Sequence, residues 1–260
     1  MNVSLPEQRF SEKWHVKGLL ATLLVVLILF GSGRMTGVST DFSWEQSMDI
    51  LIKMMNPDWS YVTAVITPIL QTIQMALVGT LLGTIIAVPF SLLAARNLMK
   101  NTVVRGIVRF FLNLVRALPD LLLAALFVAI VGIGPMAGVG ALTIFSFGMI
   151  SKLFYEAIET IDEGPIEALT AAGANSLQTI VFAVIPQVFN QFLSYFLYTL
   201  EINVRASTVL GYLGAGGVGL FLSQTLSMFR YDRTAVVILA ILVVVVIVDG
   251  ISNRLREALA

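Results

Sequence analysis

Long apolar runs, separated by short polar segments, dominate the chain. A helix needs about 20 apolar residues to cross the hydrocarbon core of a bilayer, and six runs are predicted to do so. They are residues 18–33, 61–95, 113–134, 136–155, 179–201 and 233–249. The pattern therefore predicts an all-α, polytopic membrane protein.

The first run has an alternative interpretation as a cleavable signal peptide. It follows a polar segment, residues 1–17, that is predicted to be cytoplasmic. Gly31-Ser32-Gly33 is a weak cleavage motif. A retained first transmembrane helix is therefore predicted.

Basic residues set the predicted orientation. The densest basic stretch follows the second span, and the positive-inside rule assigns it to the cytoplasm. It contains Arg96, Lys100, Arg105 and Arg109. With this side inside, both chain termini are predicted to be cytoplasmic.

Residues 206–229 are apolar but contain five glycines. If this segment crossed the bilayer, Arg254 and Arg256 would lie outside, against the charge bias. A re-entrant or surface-lying segment on the outer side is predicted instead, since irregular backbone is tolerated where protein or water covers it.

Two further features belong to the first hundred residues. Residues 34–60 are predicted to be periplasmic, and Trp44–Met55 within them to form a helix along the membrane surface. In the second span, Gly79 and Gly83 have the small-xxx-small spacing that lets helices approach closely. We expect these glycines to pack against another helix.

Composition excludes several classes of protein. The chain is 57% hydrophobic and 12% charged, which no soluble domain of 260 residues would tolerate. It has no cysteine, which excludes disulfides and thiol catalysis, and its single histidine, His15, precedes the first span. No metal site, bound cofactor or nucleic-acid partner is predicted.

The chain is not expected to be an enzyme. The phosphate-binding pattern G-x-x-x-x-G-K-[ST] does not occur in it, so the chain is not expected to hydrolyse ATP. Gly214, Gly216 and Gly217 superficially match a dinucleotide-binding loop, but no strand–loop–helix unit surrounds them. Helix packing or a flexible gate is the predicted role of these three glycines.

The segment 160–186 has the strongest local signals. Gly164 and Pro165 are typical of a helix start, and Gly173 is suited to the left-handed conformation that ends a helix. Asn175 followed by Gln178 predicts a capping box for the next helix. A short surface helix joined to the fifth span by a glycine turn is predicted.

This segment resembles the EAA loop of ABC importer permeases. Glu167-Ala168, Gly173 and Ile185-Pro186 match the loop's spacing, while Leu169 replaces its usual third alanine and the leucine before the proline is missing. The resemblance implies the type I (MetI-like) permease fold and a short helix that docks on a cytoplasmic ATPase. The residues implied in coupling are Glu163, Pro165, Glu167, Ala168, Gly173, Ala174 and Asn175. The alternative is an ordinary amphipathic cytoplasmic loop.

Other segments resemble the phosphonate importer permease. They include Arg116-Ala-Leu-Pro-Asp120, Val131-Gly-Ile-Gly-Pro135, Ser151-Lys-Leu-Phe-Tyr-Glu156 and Asn203-Val-Arg-Ala-Ser207. The resemblance implies a permease core over 61–260 in the bacterial inner membrane, and transport of phosphonates, with phosphite or another phosphorus oxyanion as the alternative. The implied partners are a second copy of the chain, two ATPases that use ATP and Mg²⁺, and a periplasmic or lipid-anchored binding protein.

Two charge pairs at helical spacing are the candidate chemistry inside the membrane. Glu201 and Arg205 lie four residues apart at the predicted outer end of the fifth span, where they either form a surface ion pair or line the substrate path. Arg116 and Asp120 form a second pair, predicted to be structural or gating together with the glycines above. The predicted path contains Glu201, Asn203, Arg205, Ser207 and Thr208.

Two other classes of membrane protein fit the sequence less well than a permease. A secondary transporter usually shows an internal repeat, and none is visible here. An intramembrane hydrolase needs a nucleophile with a base or clustered metal ligands, which the spans do not offer.

Overall fold

The computed structural model describes residues 16–31 and 43–259, and all regular structure in these ranges is helical. The chain divides into two units, one up to Asp49 and one from Ile50 onward. The first unit contains an apolar helix, α1 (Val16–Gly31). Residues 1–15 of the predicted cytoplasmic segment 1–17, residues 32–33 of the predicted first span 18–33, and residues 34–42 of the predicted periplasmic segment 34–60 lie outside the described residues.

Helix α2 (Trp44–Met55) confirms the helix predicted there and crosses the boundary between the units. The second unit then continues with α3 (Val62–Ala94), α4 (Thr102–Ala117), α5 (Asp120–Val131), α6 (Pro135–Ile158), α7 (Gly164–Ala171), α8 (Ser176–Thr179), α9 (Ile185–Leu210), α10 (Val218–Ser227) and α11 (Tyr231–Leu259). A 3₁₀ turn precedes α3, and π-helical turns, Ile180–Val184 and Gly211–Ala215, flank α9.

Four continuous helical stretches among the described residues are long and apolar enough to cross a membrane, and a fifth results if α4 and α5 count together. The four are Trp59–Ala94, Pro135–Ile158, Ser176–Ala215 and Tyr231–Leu259. The predicted all-helical membrane fold is therefore confirmed. The expected first span, α1, has 16 residues, fewer than the about 20 of a typical span.

The prediction of a single third span over residues 113–134 is wrong. Helices α4 and α5 meet at an angle of 86°. Leu118 at the bend is extended, with φ −74° and ψ 125°, because the ring of Pro119 disfavours helical geometry in the residue before it. The predicted span therefore consists of the end of α4 and all of α5.

The fifth span is longer than the predicted 179–201. Helix α9 continues past Glu201, and with its flanking turns the helical stretch runs to Ala215. Part of the glycine-rich segment 206–229 therefore belongs to this span. The rest contains α10, whose 10 residues are too few to cross a bilayer, so no separate crossing is present there, as predicted.

Close packing of α3 on α6 builds the centre of the second unit. A Cβ atom added to Gly79 would lie 2.6 Å from the Leu142 Cβ, and one added to Gly83 would lie 2.5 Å from the Ser146 Cβ. The two helices run in parallel, since the higher-numbered glycine meets the higher-numbered partner. The predicted packing role of Gly79 and Gly83 is confirmed.

Replacing Gly83 with alanine is expected to lower the free energy of unfolding by about 2–3 kcal/mol, because the new methyl group would also lie 2.8 Å from the Thr143 carbonyl oxygen, which is rigid backbone. Gly106 in α4 is the matched control, since its added Cβ would meet nothing within 4 Å. Gly106→Ala should raise stability by about 0.5–1 kcal/mol through its better helix propensity. Thermal unfolding of the detergent-solubilised protein checks both, and equal shifts would contradict the packing role.

A polar clasp holds the starts of α3 and α11 together. Arg233 Nε lies 3.2 Å from Asp58 Oδ2, and the Asp58 N–H donates to the Asp232 carbonyl oxygen. Hydrogen bonding from the Ser60 hydroxyl, and then from Arg233, lowers the pKa of the Asp58 carboxyl. The Asp58–Arg233 ion pair therefore stays ionised at neutral pH. Helices α3 and α11 both run away from this ion pair.

Candidate functional site

The segment between α6 and α9 has the local geometry that its sequence predicts. Gly173 has φ +84°, a left-handed conformation that glycine adopts without strain. Its N–H donates to the Thr170 carbonyl, and the Ala174 N–H donates to the Leu169 carbonyl. These two bonds form a Schellman motif, which ends α7.

The start of the following helix is capped as predicted. The Asn175 Oδ1 accepts from the Gln178 N–H at 2.9 Å, and the Gln178 Oε1 accepts from the Asn175 N–H at 2.8 Å. This reciprocal pair is a capping box. Helix α7 is thus separated from α8 by a turn whose two ends are both fixed by hydrogen bonds.

Helix α7 lies on the surface of the unit. None of its residues is buried, and Glu167 and Ala168 are exposed, whereas Ile166 and Leu169 are half-buried. The predicted coupling residues that flank the helix, Glu163, Gly173 and Asn175, are exposed as well. The helix therefore presents an exposed face of small residues together with Glu167 and Thr170.

Gln187 of α9 holds the loop that leads into α7. Its Oε1 accepts from the Asp162 N–H at 3.1 Å, and its Nε2 donates to the Asp162 carbonyl at 3.3 Å. The Asp162 Oδ1 in turn accepts from the Gly164 N–H. The position of α7 is consequently tied to the first turns of α9.

Glu159 is an important residue that the sequence reasoning missed. Its carboxylate forms ion pairs with Arg96 and Arg109 and accepts a hydrogen bond from the Arg96 N–H, although only 8% of the side chain is exposed. Arg109 also donates to the Ala94 carbonyl and lies over the Tyr155 ring. This Glu159 clamp joins the ends of α3 and α6 to α4, five residues before α7 begins.

One signal could have indicated the clamp. The basic stretch after the second span and the acidic end of the fourth span were both predicted on the same side of the membrane. Glu159 ends an apolar helix there, and an acid in that position needs a cationic partner.

Asn203 lies at the centre of the bundle, where α9 meets α3 and α6. Its side chain is fully buried, and its amide Nδ2 donates to Thr80 Oγ1 at 2.7 Å and to Ser146 Oγ at 2.6 Å. Its Oδ1 has no hydrogen-bond partner. The predicted path residue therefore links three helices.

The other predicted path residues are divided between two environments. Ser207 is buried and donates to the Val204 carbonyl, and Thr208 lies one residue further along α9. Glu201 and Arg205 form the predicted ion pair, but each also contacts α11: Glu201 binds Arg256, and Arg205 lies 3.6 Å from Asp249. The Arg205 guanidinium is therefore shared by two carboxylates.

These contacts correct the predicted location of the Glu201–Arg205 pair. It was expected at the outer end of the fifth span, with the C-terminus inside. In the structure α9 continues for nine residues past Glu201, and Asn203, between the two charged residues, contacts Ser146 near the midpoint of α6. The pair therefore lies within the span, where it contacts Asp249 and Arg256 of α11, and not at the outer end.

Arg116 and Asp120 do not form the predicted pair. They lie on different sides of the 86° bend between α4 and α5, and no ion pair or side-chain hydrogen bond involves either of them within the described residues. They instead line a cavity of about 260 Å³ with Val115, Leu118, Phe145 and Met149. The four-residue spacing does not bring the two side chains together, because Pro119 interrupts the helix between them.

The glycine-rich turn after α9 is packed against α3 and the start of α6. Gly214, Gly216 and Gly217 all have positive φ. The Gly217 N–H donates to Gln71 of α3, and a Cβ on Gly216 would lie 2.8 Å from the Pro135 nitrogen. The backbone there needs glycine for conformation and for space; its gating role stays a prediction.

Comparison with known proteins adds three findings. Residues 87–259 match the family described as binding-protein-dependent transport system inner membrane component. Phosphite transport system permease protein PtxC of Stutzerimonas stutzeri is 42% identical over 203 residues, which are 78% of this chain and 74% of that protein. Phosphate-import permease protein PhnE of Mycolicibacterium smegmatis is 36% identical over 84% of this chain and 41% of that protein.

A solved structure shows the same fold. The inward-facing MetNI methionine ABC transporter contains a chain that superposes with a TM-score of 0.69 and 23% identity, over 78% of this chain and 99% of that one. This likeness confirms the predicted MetI-like fold.

Proposed function

Because the chain belongs to the family of binding-protein-dependent transport system inner membrane components, we propose that it forms the membrane path of an ATP-driven importer for a small phosphorus oxyanion. The chain is a transport subunit and not an enzyme. The observation that carries the proposed substrate class is the 42% identity to a phosphite permease over 78% of the chain. Phosphite and phosphonates are the substrates proposed.

The proposed partners follow from the same family. A cytoplasmic ATPase would bind α7, and a binding protein would deliver the anion on the opposite side. A second copy of this chain is proposed to complete the path, with a related permease chain as the alternative. In this arrangement the Glu159 clamp, α7 and the C-terminus face the cytoplasm.

Two connections support a coupling role for α7. Gln187 ties the entry of α7 to α9, and the Glu159 clamp ties the end of α6 to α3 and α4. A displacement of α7 by closing ATPases would therefore be transmitted to four long helices. The exposed face of α7 would contact the ATPase, and its half-buried Ile166 and Leu169 would keep the helix on the bundle.

Uptake by the reconstituted importer tests the function. Proteoliposomes that contain the permease, its ATPase and its binding protein should accumulate phosphite or methylphosphonate only with ATP. Vesicles with the permease alone should not accumulate either anion against a gradient. Accumulation driven by a proton or sodium gradient without the ATPase would overturn the proposal in favour of a secondary transporter.

Replacing Gly173 with valine is expected to reduce uptake and substrate-stimulated ATP hydrolysis at least tenfold. The left-handed conformation costs an L-residue about 1–2 kcal/mol, and a β-branched side chain fits it poorly. No atom lies within 4 Å of the added Cβ, so the change would alter the turn without a clash. Transport and ATPase assays on the assembled importer measure the effect.

Gly173→Asn is the matched control, because asparagine tolerates the left-handed region. It should retain most of the uptake. If the valine variant transports like the asparagine variant, the turn at Gly173 has no role in coupling.

A further inference from the structure

Arg116 differs from most other arginines of the described chain in having no partner. Arg96, Arg109, Arg205, Arg230, Arg233 and Arg256 all form ion pairs, and Arg105 donates to the Met99 carbonyl. Within the described residues, only Arg116 and Arg254 lack both an ion pair and a side-chain hydrogen bond. Arg254 lies in the last turns of α11, whereas Arg116 lines the cavity at the α4–α5 bend.

The depth of Arg116 makes its lack of a partner significant. A Cβ on the buried Gly148 would lie 3.0 Å from the Arg116 Cγ. Gly148 is within two residues of the midpoint of α6, a helix long and apolar enough to span the membrane. Arg116 is exposed on this chain, and an unpaired guanidinium at that depth is costly against lipid, so we expect its side of the bundle to face the transport path.

Gly148 also makes room for the arginine. Because the glycine has no side chain, the stem of Arg116 passes directly over α6 on its way to the cavity. The packing of α4 on α6 therefore leaves space for this stem at Gly148.

The cavity offers a complementary set of groups for one kind of ligand. The Arg116 guanidinium carries N–H donors in a fork that matches two oxygens of an oxyanion. The Asp120 carboxylate accepts hydrogen bonds only. The remaining walls, Leu118, Phe145, Met149 and Val115, are apolar.

We propose that the cavity at the α4–α5 bend binds the transported anion, a singly protonated phosphorus oxyanion with one apolar substituent on phosphorus. Arg116 donates to two phosphorus-bound oxygens, and Asp120 accepts from the P–OH group. The hydrogen or carbon on phosphorus then lies against the apolar wall. This inference rests on the proposed function and names its substrate subsite.

The same geometry predicts selectivity. Phosphate would place a second hydroxyl or oxygen against Phe145 and Met149, where no described polar group can satisfy it, and such an unsatisfied group costs affinity. Phosphite and methylphosphonate have no polar group at that position.

Uptake by the complete importer, at saturating loaded binding protein, tests the site. Arg116→Gln is expected to reduce the uptake of phosphite and methylphosphonate about tenfold to a hundredfold, because it removes a charge-assisted pair of hydrogen bonds. Arg116→Lys keeps the charge without the fork and should fall in between. Arg254→Gln is the matched control and should transport at the wild-type rate.

Asp120→Asn tests the predicted selectivity and does not depend on whether the Arg116→Gln variant folds. Because the binding protein is the same in every preparation, a change in the ratio of phosphite to phosphate uptake comes from the permease. The ratio should change severalfold, since an amide both donates and accepts. An unchanged ratio would overturn the proposal even if Arg116→Gln failed to assemble.

Direct binding provides the final measurement. The ³¹P resonance of millimolar phosphite should broaden with the wild-type permease–ATPase complex and with Arg254→Gln, but not with Arg116→Gln. Equal broadening by all three would overturn the site while leaving the proposed function intact. Failure of the wild-type importer to carry any of the three anions would instead overturn the proposed function.

Discussion

Replacing Glu159 with alanine is expected to lower the free energy of unfolding by about 2–4 kcal/mol. The substitution leaves Arg96 and Arg109 without their carboxylate and the Arg96 N–H without its acceptor. Breaking a fully buried ion pair costs about 3–5 kcal/mol. The expected loss is somewhat smaller because 72% of the Arg96 side chain and 31% of the Arg109 side chain are exposed, so solvent screens both charges.

Glu156→Ala is the control for this experiment. Glu156 lies on the same helix and pairs with Lys152, but the two side chains are 49% and 35% exposed. An exposed pair of this kind contributes about 0.3–0.5 kcal/mol. Denaturant or thermal unfolding of the detergent-solubilised protein compares the two variants. Similar losses in the free energy of unfolding would show that the Glu159 clamp stabilises the fold no more than an exposed ion pair does.

The Glu159 variant also separates stability from coupling. Glutamine fills the same space as Glu159 without the charge. If the clamp transmits movement from α7 to α3 and α4, Glu159→Gln should therefore reduce uptake by more than its loss of stability accounts for. Uptake is measured at matched membrane abundance of the importer. Uptake that simply follows stability would assign the clamp to folding alone.

Local sequence rules predicted the surface segment well. The end of α7 at Gly173 and the capping box at Asn175 each depend on residues within four positions of one another. Backbone conformation and hydrogen bonds over such short distances are decided by the residues themselves. The close packing at Gly79 and Gly83 was predictable for a similar reason, because their spacing is that of one helix face.

Long-range contacts were less predictable. The Glu201–Arg205 pair was recognised from its spacing, yet its other partners, Asp249 and Arg256, lie on a helix about fifty residues further along the chain. Without them the pair resembled the end of a span, and α9 was predicted to be too short. The predicted pair of Arg116 and Asp120 does not form, because Pro119 interrupts the helix between them.

The corrected positions separate two roles that the sequence had combined. Arg205 is held by two carboxylates and joins α9 to α11, which supports a role in helix packing. Arg116 has no such partner and lines a cavity, which supports the anion-binding role proposed for it. Both carboxylates meet the same nitrogen of Arg205, Nη2, so the positive charge is compensated within the chain, although half of the side chain is exposed.

Replacing Asn203 with aspartate is expected to have the largest effect of any change of similar size, a loss of about 3–5 kcal/mol at neutral pH. The side chain is fully buried between α3, α6 and α9, and its described partners are two hydroxyl groups, Thr80 and Ser146, with no cation among them. An uncompensated charge in such a place is strongly destabilising. Unfolding of the solubilised protein measures the loss.

An exposed position on α11 provides the control for this experiment. Asn253→Asp makes the same chemical change on an exposed residue beside Arg256 and should be neutral or slightly stabilising at pH 7. If the two variants unfold alike at neutral pH, the three-helix contact at Asn203 does not hold the bundle together.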